Sequence, residues 1–110
     1  MVRFIEHPTF TRQIEDPLSV DEYKDFQNEL AEDPEKGNVI PGLGGLRKVR
    51  VQLAGRGKRG GARVIYLLIP RPGVVILFYA YSKGDFEDLS ADQKRRMRQA
   101  VLEIKQEFAS

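Results

Sequence analysis

At 110 residues the chain is expected to form one domain, 1–110, with a single modest core, and its 41% hydrophobic and 31% charged content is ordinary for a globular protein. It contains no cysteine, which excludes disulfides and thiolate metal sites, and its longest apolar run, "VVILFYAY" at Val74–Tyr81, is far below the ~20 residues of a membrane-spanning helix. The net charge of +2 hides an uneven distribution: ten Lys or Arg and no Asp or Glu stand from Lys36 to Lys83, while ten acids precede that block against Arg3, Arg12 and Lys24. A segment of one sign sets up a positive field that attracts phosphate-rich partners.

In chain order, "VRFIE" alternates as a strand does, and His7-Pro8 ends it, because the residue before proline avoids helical backbone while proline suits a first helical turn. A short helix is expected over Thr9–Glu15, stopped by Asp16-Pro17. Ser19 and Glu22 form a capping box, and Val20, Tyr23, Phe26 (or Gln27) and Leu30 recur at helical spacing, which predicts an amphipathic helix over Val20–Glu32. "VIPGLGGLR" is a turn-rich connector. In the strand Leu46–Leu53 the residues Val49, Val51 and Leu53 face one way, and Lys48, Arg50 and Gln52 the other.

Ala54–Gly61 is a glycine-rich hairpin loop carrying Arg56, Lys58 and Arg59. Strands are expected over Ala62–Ile69 and Val74–Tyr81, joined by the Pro70–Gly73 turn, with a polar connection over Ser82–Leu89. A second capping box, Ser90 with Gln93, opens a last helix whose apolar stripe is Met97, Val101, Ile104 and Phe108; Lys94, Arg95, Arg96 and Arg98 lie on its outer face. The order β-α-α-β-β-β-α makes the class α+β: an antiparallel sheet of one N-terminal strand plus a three-stranded meander, with helices packed on one face. The other face can then stay polar.

That architecture gives the cations a place. If Val49 and Val51 turn to the helices, Lys48 and Arg50 are forced onto the opposite face, where Arg63 of the next strand and Lys83, just past the third, can join them. Familiar motifs do not account for the region. "GLGGLR" has Arg47 at the third glycine position of a dinucleotide fingerprint, and "GRGKRG" has Arg59 where a P-loop has Ser or Thr. The lone histidine, His7, cannot build a histidine metal site and reads as a strand-end residue.

Lys, Arg and Tyr chemistry remains, and it suits RNA cleavage. Attack of a ribose 2′-OH on its own phosphodiester needs a base, an acid, and cations for the charge on the pentacoordinate phosphorus. A lysine crowded by cations can serve as base or acid near neutral pH, Arg63 can grip phosphate oxygens, and Tyr81 can stack on a base or donate a proton, whereas Tyr79 reads rather as packing in a hydrophobic strand. Arg47, Arg56, Lys58, Arg59 and, on the last helix, Arg95 are candidates for gripping RNA or ribosomal backbone. The absence of cysteine and of an apolar leader in "MVRFIEHPTF" fits a cytoplasmic protein.

The run "GNVIPGLGGLRKVRV", the glycine-basic loop, "GARVIYLLI", "VVILFYAYSKGDFEDLS" and the basic last helix together resemble HigB-like toxins of the RelE/ParE toxin–antitoxin superfamily, over nearly the whole chain. The resemblance implies a RelE-like, microbial-RNase-like fold and a ribosome-dependent mRNA endoribonuclease needing no metal or other cofactor. It also implies a partner antitoxin with a helix-turn-helix domain. The superfamily's basic pair falls on Lys48 and Arg50, its next-strand arginine on Arg63 and its lysine after the last strand on Lys83. Gly84 stands where a further arginine is frequent, and Asp85–Leu89 holds no tyrosine, so Lys83, Tyr81 and Asp85 all stay candidates for acid and base. Two other readings use the same face: a ParE-like gyrase poison, and a non-catalytic RNA-binding module.

Overall fold

Strand β4 (Ala62–Ile69) explains the rest of the architecture, because nearly every residue of "ARVIYLLI" is apolar and a strand of that kind is stable only when covered on both faces. A computed structural model describes residues 2–8, 10, 18–51, 61–82 and 90–109. Around β4 are β1 (Arg3–Glu6), helix α1 (Val20–Glu32), β2 (Asn38–Val39), β3 (Arg47–Val51), β5 (Val74–Ser82) and helix α2 (Ala91–Ala109). The sheet is five-stranded, in the order β1-β5-β4-β3-β2. The class is α+β, as expected.

Three expectations need correction. The sheet is mixed, since β1 pairs parallel to β5, with Arg3 opposite Val74 and Glu6 opposite Leu77. The connector contributes a further strand, β2, which pairs antiparallel with Arg47 and Lys48. The helices do not share one face. Phe26 and Leu30 of α1 pack with Val49, Val51, Val64, Tyr66, Val75 and Leu77, whereas Val101, Met97 and Ile104 of α2 pack with Ile65, Leu67, Ile69, Val74, Ile76 and Phe78. Alternate residues of β4 and β5 thus feed two cores on opposite sides. A strand pair apolar on both faces admits no polar side.

Of the expected short helix Thr9–Glu15 only Phe10 is among the described residues, where it is helical, like Pro8 just before the range, and fully buried. Both capping boxes form: Ser19 Oγ accepts from Glu22 N–H as Glu22 Oε1 accepts from Ser19 N–H, and Ser90 and Gln93 do the same for α2. Val20, expected in the α1 stripe, is 84% exposed, because the first turn precedes the contact with the sheet.

The connector between α1 and β3 is held by polar contacts. Tyr66 Oη accepts from Gly37 N–H at 2.9 Å and donates to the Pro34 carbonyl at 2.8 Å, while Arg47 Nη1 donates to the carbonyls of Glu35 and Gly37 at 3.1 and 2.8 Å. On the other side Lys105 Nζ donates to the Gly44 carbonyl at 2.7 Å, which ties α2 to the glycine turn. Gly44 needs to be glycine there: its φ is +71°, and a Cβ would lie 3.0 Å from Val101 Cγ1.

Tyr66 is the residue to test. Burial raises its phenol pKa above the ordinary value of about 10, and Tyr23, half-buried and donating to Glu6 Oε2 at 2.7 Å, is raised further. Both must stay neutral in the folded state. Their contribution is complete below pH 10 and is lost as pH rises from there towards the folded pKa values, since the unfolded chain releases those protons first. Urea unfolding should therefore show flat stability from pH 7 to about 9 and a fall above about 10. Tyr66→Phe should be less stable by about 1–3 kcal/mol at neutral pH, from the buried Gly37 N–H left without an acceptor.

Candidate nucleic-acid interface

The cross-strand register decides which charged side chains meet. Arg50 of β3 lies opposite Arg63 of β4, and Arg63 lies opposite Tyr81 of β5; in the adjoining row Lys48 faces Ile65, and Ile65 faces Tyr79. Residues paired directly across strands share a face. Lys48, Arg50, Arg63, Tyr79 and Tyr81 therefore share the face that also carries α2. Lys48 and Arg50 are exposed there; Arg63, Tyr79 and Tyr81 are half-buried.

A β-bulge makes this assembly. Ile65 pairs with Tyr79 but Tyr66 pairs with Leu77, which leaves Phe78 as an extra residue in β5. Without it, Tyr79 and Tyr81 would follow Val75 and Leu77 onto the α1 face. With it, both pack beside Phe78 in the α2 core, and Ala80 turns to the α1 core instead. Their rings are 5.9 Å apart and tilted by 47°.

Arg63 is the unusual member. Its Nη1 is buried without a hydrogen-bond partner among the described residues. It lies beside Gly61, where a Cβ would make ordinary contact with Arg63 Nη1 at 3.6 Å and Arg50 Cγ at 4.0 Å. Like charges directly opposed across a ladder are destabilising, and a buried donor left unpaired costs about 1–3 kcal/mol. An arginine pair of this kind is relieved by an anion seated between the guanidinium groups. No carboxylate among the described residues forms an ion pair with Lys48, Arg50 or Arg63. Arg50 also lines a groove of about 280 Å³ at the β3 edge, together with Glu22, Asp25 and Glu29 of α1 and Lys36.

Other sequence candidates lie elsewhere. Arg47 is on the α1 face, mostly buried, with its guanidinium bound to connector carbonyls and within 3.7 Å of Glu35 Oε2. Arg95 is exposed on α2 and ion-paired with Asp92. Lys83, Asp85, Arg56, Lys58 and Arg59 lie outside the described residues.

The structure adds His7 to this face. The backbone N–H of His7 donates to the Leu77 carbonyl at 2.8 Å, and its ring stacks on Phe78 with centroids 5.2 Å apart. The sequence signal was the placement of the lone histidine at the end of a strand, which does not tell what lies across from it. Among the described residues no three His, Asp or Glu side chains converge as metal ligands, and no helix is long and apolar enough to cross a membrane. No known family model matches the chain.

Two substitutions separate the arginines. In urea denaturation at low ionic strength, Arg63→Met should be as stable as the parent or more so, by up to about 1 kcal/mol, because it removes repulsion and an unpaired donor. Arg47→Met should lose about 1.5–3 kcal/mol with its charge-assisted bonds to two carbonyls. The reverse ranking would refute the assignment of Arg47 to the scaffold and Arg63 to a ligand.

Proposed function

We propose that the chain is a HigB-like toxin that cuts messenger RNA on the ribosome. The observation that carries this reading is the Arg50–Arg63–Tyr81 row: two arginines paired across the ladder, one with a buried nitrogen that has no hydrogen-bond partner among the described residues, held on strands with a tyrosine next in the row. Rigid strands hold such groups within the tolerance that electrostatic catalysis needs, and donors fixed in advance require no reorganisation as charge develops.

In the proposed reaction a ribose 2′-OH loses its proton to a base and attacks the adjacent phosphorus. The P–O5′ bond breaks, the leaving 5′ oxygen takes a proton, and the products are a 2′,3′-cyclic phosphate and a 5′-hydroxyl. Arg63 and Arg50 would hold the non-bridging oxygens, which gather negative charge in the transition state. Lys48 lies one row away and adds to the field that disfavours extra protons on neighbouring bases. Tyr81, the cross-strand neighbour of Arg63, is the proposed proton carrier, with Lys83 and Asp85 as further candidates from sequence. Ribosomal RNA and mRNA backbone would be gripped by the remaining basic residues, with Arg56, Lys58 and Arg59 on the glycine-rich segment. A helix-turn-helix antitoxin completes the proposal as the partner that restrains the activity in the cell.

The purified chain should cleave a reporter mRNA in a reconstituted translation mixture and leave the same RNA intact without ribosomes. The variant combining Lys48→Ala, Arg50→Ala and Arg63→Ala should cut at least about 1,000-fold more slowly. Undiminished cutting by that variant would sink the site. Intact mRNA together with inhibition of gyrase supercoiling would instead favour the ParE-like reading.

A further inference from the structure

A second cavity opens on the same face, between β5 and the first half of α2. Its volume is about 340 Å³, and it is lined by His7, Phe78, Tyr79, Gln93, Arg96, Met97 and Ala100. We propose that it receives one unstacked nucleobase of a single-stranded RNA whose phosphates lie on Arg50 and Arg63. The proposal rests on the RNA reading above and adds a base-binding subsite to it.

The chemistry of the walls selects a flat aromatic ring. His7 and Phe78 are stacked within 15° of parallel with centroids 5.2 Å apart, and both rings line the cavity together with that of Tyr79. Met97 supplies a polarisable thioether, which packs well against aromatic edges, and Ala100, the smallest side chain among the lining residues, leaves room between them. The rim is polar on one side only. Gln93 uses its carbonyl oxygen to accept from Ser90 N–H, which leaves its amide N–H groups as the end that can face a ligand. Arg96 is anchored by Asp92 on the same helix. Donors on the rim and aromatic rings on the wall match a base with carbonyl or ring-nitrogen acceptors along its edge.

Connectivity to the cations favours RNA over an apolar small molecule. Tyr79 lines the cavity, its ring contacts Tyr81, and Tyr81 is the cross-strand neighbour of Arg63, whose own neighbour is Arg50. An aromatic path thus runs from the cavity to the site where the phosphate would sit. Stacking platforms beside a positively charged track are how single strands are held without a fixed sequence.

The test uses fluorescence anisotropy with labelled RNA trinucleotides, one intact and one with abasic riboses, so that both carry the same charge. The full chain should bind the intact trinucleotide about tenfold more tightly than the abasic one. Equal affinities would overturn the subsite. In His7→Ala and in Ala100→Leu, which takes up that room, the difference should shrink to about twofold or less while affinity for the abasic RNA is kept. A full difference in both folded variants would also overturn it. Should either variant fail to fold, NMR of the parent chain decides: the His7 ring resonances should move with intact RNA and stay with abasic RNA, and the absence of that contrast counts against the proposal. The RNase reading is scored separately, because loss of abasic binding in Arg63→Met tests the phosphate site with no base present.

Discussion

The pairing of β4 between β3 and β5 is the constraint on which the rest of the molecule depends. β4 is apolar along both faces, so its burial requires a helix on each side, and α1 and α2 meet that requirement with Phe26 and Leu30 on one face and Met97, Val101 and Ile104 on the other. A charged residue within such a strand sits at its end or not at all. Arg63, the second residue of β4, is at the end, half-buried, and its placement passes directly to its neighbours Arg50 and Tyr81. The candidate site is therefore the margin of the α2 core, where covering helix gives way to open sheet.

The two faces use their polar groups differently. On the α1 side Tyr66, Arg47 and Tyr23 are all bonded, to Gly37 and Pro34, to the Glu35 and Gly37 carbonyls, and to Glu6. These bonds close the connector and fasten β1 to α1, and each satisfies a group that would be costly to bury alone. On the α2 side Arg63 keeps an unpaired nitrogen, and Arg50 and Lys48 have no carboxylate partner among the described residues. Arg47 and Lys48 are adjacent in sequence, yet the pleat sends one into the scaffold and leaves the other on the proposed ligand face. That contrast is the physical basis for assigning Arg47 to the scaffold and leaving Lys48 as a candidate for the proposed site.

Much of this was legible in the chain. The capping boxes at Ser19 and Ser90 specify helix starts by local chemistry that needs no partner, and both formed. The strand Ala62–Ile69 was bounded correctly because Gly61 and Pro70 punctuate it. The sharing of one face by Lys48 and Arg50 followed from a period of two. What misled was the assumption that an apolar strand has one polar side. Val74–Phe78 has none, and its continuous hydrophobicity was the sign of a sheet covered twice.

Sequence alone determined α1, α2 and the strands β1, β3, β4 and β5, the helix caps, the exclusion of acids from the central segment and the alternation that separates Lys48 and Arg50 from Val49 and Val51. All of these are set by interactions within a few residues of chain. The tertiary structure decided three other things: the parallel pairing of β1 with β5, the position of α2 on the face opposite α1, and the extra residue at Phe78. A bulge is a property of two strands, since one residue becomes surplus only against the spacing of its partner. That single surplus residue turns Tyr79 and Tyr81 to the side of Arg63 and Phe78, so this grouping of rings exists only once β5 is paired with β4.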